Sequence, residues 1–107
     1  MFVIRRVYDI KPGMARKYAS VLRRVADAYE ASGQRSSTQV YYNDAMIPGK
    51  AHRVYIQWTS DAIESQFRDG NVVPGAVTEA ALPGDPLVLN TWIEFYEMMT
   101  PSKMVEA

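Results

Sequence analysis

The sequence predicts an α+β fold in which one antiparallel sheet carries both of its helices on the same face. Segments rich in β-forming residues and an amphipathic helical pattern follow one another in the order β-α-β-β-α-β. The chain has 107 residues, of which 48% are hydrophobic, so we expect residues 1–107 to form a single domain around one core. It contains no Cys, so we expect neither disulfides nor thiolate ligands to hold that core together.

The first strand and the first helix have the clearest patterns. Residues 2–10 (FVIRRVYDI) are rich in β-forming side chains and are followed by the turn sequence KPG. Residues 13–32 repeat apolar side chains at three-and-four spacing, which predicts a helix with one buried stripe. Gly33 supplies the left-handed residue that commonly ends a helix.

The remaining strands are shorter or less regular. Residues 37–44 and 52–59 both favour strands, and the loop that contains Pro48 and Gly49 is short enough to join them as an antiparallel hairpin. Residues 87–99 predict a long final strand. A tail follows it.

A second helix is expected to begin at Ser60 or Asp61. Asp61 and the acid three residues later have the spacing of a capping box, with Asp in place of the usual Ser or Thr. Ile63 and Phe67 give this helix a short apolar side, and the sequence DGN ends it. Residues 74–81 can add another turn or two of helix.

This order of elements allows few sheets. The connection rules favour a split βαβ, ferredoxin-like arrangement with both helices on one face. The last strand has apolar side chains on both sides, with Leu89, Ile93 and Phe95 on one and Trp92 and Tyr96 on the other. We therefore expect an apolar face without helices, covered by a second copy of the chain in a homodimer through the sheet faces.

Composition excludes several partners. Twelve basic and twelve acidic residues give a formal net charge of zero, which argues against binding to nucleic acid or to an anionic membrane surface. No apolar run reaches the length of a membrane span, and the first residues lack the order of a signal peptide, so a cytoplasmic protein is expected. One His and no Cys leave no recognisable metal site or cofactor motif, and we expect no metal and no cofactor.

The candidate catalytic residues are His52 and Tyr55. His52 is the only side chain that titrates near neutrality when unperturbed, and a Tyr hydroxyl can assist proton transfer. The alternative for His52 is an ordinary residue at a strand end, and for Tyr55 it is aromatic pairing between strands. The candidate substrate-binding residues are apolar or aromatic and fall mostly on predicted strands: Trp58, Val54, Tyr8, Tyr41, Phe67 and Trp92.

Arginines on the predicted strands need partners if they are covered. These are Arg5, Arg6 and Arg53, and their possible acidic partners are Asp9, Glu94 and Glu97. Such pairs usually serve a strand edge or an interface. An arginine directed into a pocket would instead indicate an anionic or enolate ligand.

Residues 54–61 (VYIQWTSD) give a more specific signal, a strand that closes on Gln-Trp-x-Ser-acid. This segment resembles the dimeric α/β-barrel superfamily and is most similar to the small antibiotic-biosynthesis monooxygenases. The first strand, the following IKPG and the long helix also resemble the NIPSNAP branch. The resemblance implies ferredoxin-like monomers whose sheets pack into a barrel between two subunits, with a pocket between sheet and helices of each subunit.

The same resemblance carries functional expectations. Some members oxidise polyketide phenols to quinones with molecular oxygen and no metal or flavin, while others cyclise polyketides, isomerise or degrade small molecules, or bind haem. Trp58 matches the pocket Trp of the family. Val54 stands where the monooxygenase pattern has Asn, Glu64 and the nearby Phe67 stand where it has Tyr, and Tyr41 lies in the region of its pocket His.

The sequence thus predicts a small-molecule enzyme of the cofactor-independent monooxygenase type, acting on a small aromatic or polyketide-like molecule. The alternatives are a polyketide cyclase or aromatase on the same fold and a non-catalytic ligand-binding or accessory dimer. Haem binding is a third option, for which His52 is the one available imidazole.

Overall fold

Four strands and two helices make up the fold in the computed structural model, which describes residues 1–35, 37–65 and 67–107. The elements, in chain order, are β1 (Phe2–Ile10), α1 (Ala15–Ala31), β2 (Gln39–Asn43), β3 (Arg53–Ser60), α2 (Gly75–Ala81) and β4 (Val88–Glu97). Short 3-10 helices at Leu82–Leu87 and Pro101–Lys103 flank β4.

All strand pairings are antiparallel, and the strand order across the sheet is β2-β3-β1-β4. Arg5 in the centre of β1 lies opposite Gln57 of β3 and Glu94 of β4. This order and the helices on one face confirm the predicted α+β, ferredoxin-like fold. A β-bulge between Asp9 and Ile10 shifts the register at the end of β1.

The core lies between α1 and the sheet. Alternation places Ile10, Val54 and Ile56 on the helix side, where they pack against the apolar stripe of α1 that includes Leu22 and Ala26. Val54 and Ala26 are both completely buried. The predicted strand at residues 2–10 and the buried stripe of the first helix are therefore confirmed.

The second helix is not where the sequence predicted it. Residues 61–65 and 67–74 contain no helix, and α2 begins only at Gly75; the predicted helix also covered residue 66, which lies outside the described residues. Ile63 and Phe67 are 53% and 80% exposed, so they bury no helical face. The Ser60 and Ser65 hydroxyls accept hydrogen bonds from backbone N–H groups two residues later, a local turn that competes with helix.

α2 forms where apolar burial is available. Val77 packs against Val25 and Tyr29 of α1 and is 5% exposed. The 3-10 helix that follows brings Gly84 against Tyr18, so close that a Cβ at Gly84 would lie 2.6 Å from Cε1 of that ring. Among the described residues between β3 and β4, contacts with α1 are thus made by Val73 and by the residues of α2 and the 3-10 helix that follow it.

The helix-free face of the sheet was predicted to be apolar, and this prediction is wrong. It carries polar and charged side chains between aromatic ones, because alternation sends Arg5, Arg53 and Glu94 to this side. Exposed apolar side chains of β4 lie on the helix side instead, where Ile93 is 38% exposed and Phe95 43%. α1 packs mainly over β2 and β3, so it does not cover them.

Within the described part of the chain, no helix combines the length and the apolar character needed to cross a membrane.

Candidate functional site

A cleft opens at the end of the sheet–helix layer, where β3 finishes beside the C-terminal end of α1. Its lining residues come from three places in the chain: Met1, Gln34, Arg35, Trp58, Thr59, Ser60 and Asp61. Its volume is about 260 Å³, and polar groups predominate in its walls. Trp58 also packs on the apolar core, so the cleft joins the core at one end and solvent at the other.

Arg35 lies between two aromatic rings in this cleft. Its Cζ is 3.7 Å from the ring centroid of Tyr29 and 3.7 Å from that of Trp58. Two rings this close cannot share one face of a planar guanidinium, so they stack on its two faces, and its in-plane N–H groups form no hydrogen bond within the described residues. Among the described carboxylates, none forms an ion pair with Arg35.

Burial lowers the pKa of Arg35, while Tyr29 and Tyr8 raise it and Arg6 lowers it further. A guanidinium starts from so high a pKa that it remains charged at neutral pH. The cleft therefore contains a permanent cation that has no carboxylate partner among the described residues. Such a group is suited to binding an anion or to stabilising negative charge that develops during a reaction.

The end of α1 positions this arginine. Gly33 has φ +76°, in the left-handed region, and its N–H donates to the Glu30 carbonyl. The next N–H, of Gln34, donates to the Tyr29 carbonyl. These bonds fold the chain back over the last turn of the helix, which places Arg35 against the Tyr29 ring.

Asp61 supplies the one carboxylate among the lining residues. It was expected to cap a helix, but no helix begins there, and within residues 1–35, 37–65 and 67–107 it forms no hydrogen bond or ion pair. The nearby Glu30 is engaged differently, because it accepts hydrogen bonds from the Thr38 N–H and from Arg23, which lower its pKa. Asp61 is thus the acid that is free to meet a ligand.

Two tyrosines lie deeper in the same layer. The ring centroids of Tyr8 and Tyr18 are 5.0 Å apart, and burial raises the pKa of both hydroxyls. Both remain protonated phenols at neutral pH, so they can donate hydrogen bonds and do not act as bases.

The structure divides the predicted site residues among several places. Trp58 lines the cleft, and Tyr8 lies on the same side of the sheet. Val54 is fully buried beneath α1, and Phe67 is 80% exposed and not among the lining residues. The other aromatic candidates, Tyr41, Tyr55 and Trp92, project from the opposite face of the sheet. Trp58, Tyr8 and Val54 therefore share the helix side of the sheet, and of these three only Trp58 is among the described residues that line the cleft.

His52 lies at the other end of β3 from Trp58. The two positions are six residue steps apart along the strand, a span of about 20 Å at the usual rise. His52 lines a second, wider concavity together with Lys50 and Asn90, and has a left-handed φ of +57°. Its buried Nδ1 has no hydrogen-bond partner in the part of the chain that the structure describes. His52 and Trp58 cannot contact one small ligand within a protomer.

The helix-free face carries a connected polar and aromatic network. Glu94 accepts hydrogen bonds from Arg5 Nε (2.9 Å), Trp92 Nε1 (2.9 Å) and the Tyr96 hydroxyl (2.8 Å). These donors lower the pKa of Glu94 from 4.5 to about 2, the Trp92 and Tyr96 bonds contributing most. The Tyr41 and Tyr55 rings stack at 4.9 Å. Of the three acids considered as partners for the strand arginines, Glu94 thus pairs with Arg5.

A second ion pair joins Arg53 to Asp9, with Nε 2.9 Å from Oδ1. Arg53 additionally lies 4.9 Å from the ring centroid of Trp92. Arg5 and Arg53 therefore lie on the helix-free face of the sheet, while the third strand arginine, Arg6, lies on the helix side opposite Ile56. The arginine in the cleft is Arg35, which the sequence reasoning missed; its signal was a cation two residues after the helix-ending Gly33 and beyond an aromatic last turn.

No group of three His, Asp or Glu side chains in the described residues is placed to hold a metal ion.

Comparison with known proteins places the fold. No protein-family model matches the sequence, and a search of curated proteins found no match. Among solved structures, a NIPSNAP-like domain protein from Burkholderia xenovorans is 20% identical, with a TM-score of 0.70 over 98% of this chain and 90% of that one. The chain has the ferredoxin-like fold of these proteins.

Other structures support the same conclusion. A Chloroflexus aurantiacus protein named as an antibiotic biosynthesis monooxygenase is 16% identical, with a TM-score of 0.62 over 92% of this chain and 93% of that one. A dimeric ferredoxin-like protein from Thermobifida fusca is 9% identical, with a TM-score of 0.52 over 91% and 92% of the two chains. The predicted resemblance is confirmed for the fold, and at these identities the comparison shows the fold alone.

Proposed function

We propose that this protein binds a small aromatic molecule in the cleft beside Trp58 and oxidises it with molecular oxygen, without metal or flavin. The observation that carries the proposal is the cleft itself, a concave site at the open end of the sheet–helix layer with an indole ring and an unpaired carboxylate, Asp61, in its wall. The fold neighbour named as an antibiotic biosynthesis monooxygenase supports the same class of activity.

The chemistry requires little from the protein beyond positioning and proton transfer. A phenolic ring system with an activated CH₂ group loses a proton to give a stabilised carbanion, which reduces O₂. The carbon loses two hydrogens and gains one oxygen as a carbonyl, and the second oxygen leaves as water. Asp61 is the proposed proton acceptor, because it is the cleft carboxylate without a partner in the described residues.

The test is oxygen uptake by metal-free protein with one-ring, two-ring and three-ring phenolic substrates, anthrone among them. We expect uptake that falls at least tenfold in Trp58→Ala and in Asp61→Asn. Trp92→Phe is the matched control, since Trp92 lies on the opposite face and should leave the rate unchanged. Absence of uptake with every substrate, or equal loss in the control, contradicts the oxygenase.

A second candidate is a non-catalytic ligand-binding dimer. The placement of His52 and Tyr55 outside the cleft favours it, because the two expected proton-transfer groups cannot reach a ligand beside Trp58. A cyclase or aromatase remains the alternative enzyme, since it needs only shape and proton transfer. Ligand binding without oxygen uptake or any product would support the binding protein.

We further propose a homodimer through the helix-free sheet faces. Tyr41 and Tyr96 are 38% and 49% exposed there, which is unfavourable for a face left open to water. A fold neighbour is named as dimeric. Sedimentation of the protein at several concentrations tests this, and Tyr96→Lys should shift it towards monomer.

A further inference from the structure

The unpaired Arg35 guanidinium identifies the chemical class of the ligand. We propose that the cleft recognises an aromatic oxyanion, a carboxylate or an ionised phenol attached to a one- or two-ring system, and that this group binds the N–H edge of Arg35. The inference deepens the proposed function and rests on it only for the location of the ligand, because binding can be measured without turnover.

A half-buried arginine without a counter-ion is energetically unfavourable. Arg35 is half-buried between Tyr29 and Trp58, and burial disfavours a charge that lacks a counter-ion. Arg5 and Arg53 on the sheet meet this requirement by pairing with Glu94 and Asp9, whereas Arg6, which has no ion pair among the described residues, donates to the Thr91 hydroxyl at 3.4 Å. Arg35 has an aromatic ring on each face of its guanidinium but no carboxylate partner among the described residues. A bound oxyanion supplies the counter-ion for this guanidinium.

The geometry of the stacked Arg35 guanidinium favours a planar anion as its partner. With both guanidinium faces covered by rings, the N–H groups in its plane are the remaining donors. That edge matches a carboxylate, which can accept two parallel hydrogen bonds. Stacking also fixes the orientation of the group before a ligand arrives, so less side-chain freedom is lost on binding.

The groups that line the cleft beside Arg35 favour an aromatic ligand. The indole of Trp58 borders the same cleft, so a ligand whose anion meets Arg35 can place its ring against an aromatic surface. Gln34, Thr59 and Ser60 supply neutral polar groups around it. A volume of about 260 Å³ is just below the range of sites for drug-sized ligands, which favours one or two rings over a larger polycycle.

The experiment uses the fluorescence of Trp58 in a Trp92→Phe background, where Trp58 is the only remaining Trp. The probes are 1-hydroxy-2-naphthoate and the corresponding neutral amide, which share rings and differ in charge. We expect the carboxylate to bind at least tenfold more tightly, an advantage lost in Arg35→Gln and partly kept in Arg35→Lys. Arg24→Gln, an exposed arginine on α1, is the control and should change neither affinity.

A second pair of measurements distinguishes the two sources of the oxyanion. 4-Nitrophenol is titrated below and above its own pKa, where it is neutral and ionised respectively. Tighter binding of the ionised form that depends on Arg35 supports a phenolate ligand, and the naphthoate result supports a carboxylate. Thermal melting confirms that each variant is folded.

The proposal is overturned if charged and neutral probes bind equally, if Arg35→Gln retains the preference, or if no probe perturbs Trp58. These results leave the oxygenase test independent, because oxygen uptake with neutral phenols can succeed while anion selectivity fails. Conversely, selective binding with no uptake contradicts the oxygenase and preserves the anion site.

Discussion

Replacing Glu94 by Gln tests the network on the helix-free face. The change keeps the size of the side chain and removes its charge, so Arg5, Trp92 and Tyr96 lose a shared anionic acceptor. Hydrogen bonds to an ionised acceptor are roughly twice as strong as neutral ones. We expect the variant to be less stable at pH 7.

The magnitude follows from the pKa of Glu94, which the fold lowers from 4.5 to about 2. At about 1.4 kcal/mol for each pKa unit, this sets an upper bound of about 3 kcal/mol. The side chain is 25% exposed, so solvent screening reduces the expected loss to about 1–2 kcal/mol. For a domain of this size that corresponds to a fall in Tm of about 4–10 °C.

The pH dependence has a defined sign. Because the folded-state pKa of Glu94 is depressed, the unfolded chain takes up the proton first as the pH falls. The stabilisation is present above about pH 4.5 and disappears as the pH approaches about 2. Denaturant unfolding of both proteins between pH 7 and pH 2.5, at one fixed protein concentration, should therefore show the difference shrinking with acid.

Glu97→Gln is the matched control on the same strand. Glu97 pairs with Lys103, but its side chain is 61% exposed, so the loss should stay below about 0.5 kcal/mol. Equal stability of Glu94→Gln and the parent at pH 7, or a difference that persists at pH 2.5, refutes the reasoning. A loss well above 3 kcal/mol would indicate that a second copy covers Glu94 and removes the screening.

Other predictions concern the backbone and the loop packing. Gly84→Ala should lower the free energy of unfolding in denaturant by about 1–3 kcal/mol, since the new Cβ would lie 2.6 Å from the Tyr18 ring. Gly75→Ala is the control in α2; its Cβ meets nothing within 4 Å, so the free energy of unfolding should rise by about 0.5 kcal/mol. Similar changes in the two variants contradict the close packing of Gly84 on Tyr18. Ala45→Gly should raise the unfolding free energy by about 0.5–1 kcal/mol, because Ala45 has φ +85°, and a loss would show that its backbone is not strained. Gly33→Ala should cost about 1 kcal/mol at φ +76° and weaken anion binding at Arg35, whereas intact binding would separate that arginine from the helix end.

Local patterns sufficed for the elements whose burial is continuous. β1 occupies Phe2–Ile10, as predicted, because it is paired on both sides and the KPG turn ends it. The helix predicted at residues 13–32 spans Ala15–Ala31, since its apolar stripe runs along its whole length. In both elements the periodicity of the sequence and the burial in the structure describe the same face.

The second helix could not be predicted correctly from its own residues. A capping pattern at Asp61 was present, but two apolar side chains do not bury enough surface to offset the loss of chain entropy. The serine turns and the exposed Phe67 show that local hydrogen bonding prevails there. Helix forms instead at Gly75–Ala81, where Val77 reaches α1.

The cleft was only partly predictable for a related reason. The position of Trp58 could be predicted from its strand and from the resemblance. The position of Arg35 depends on contacts with two rings, Tyr29 on α1 and Trp58 on β3, which are distant in the sequence. Period-two alternation did indicate that Tyr55 and Trp58 lie on opposite faces. It could not show which face carries the cleft, because the helix-free face is polar and aromatic at once.

The two charged groups of the cleft both lie outside regular secondary structure. Arg35 follows the left-handed turn at Gly33, and Asp61 follows the last residue of β3 in a segment that does not form the expected helix. Strands and α1 therefore fix where the cleft lies, while two turns decide what chemistry it presents. Substitutions in these turns should change the ligand with little cost to the fold, and the same fold can accordingly serve neighbours whose turns carry other side chains.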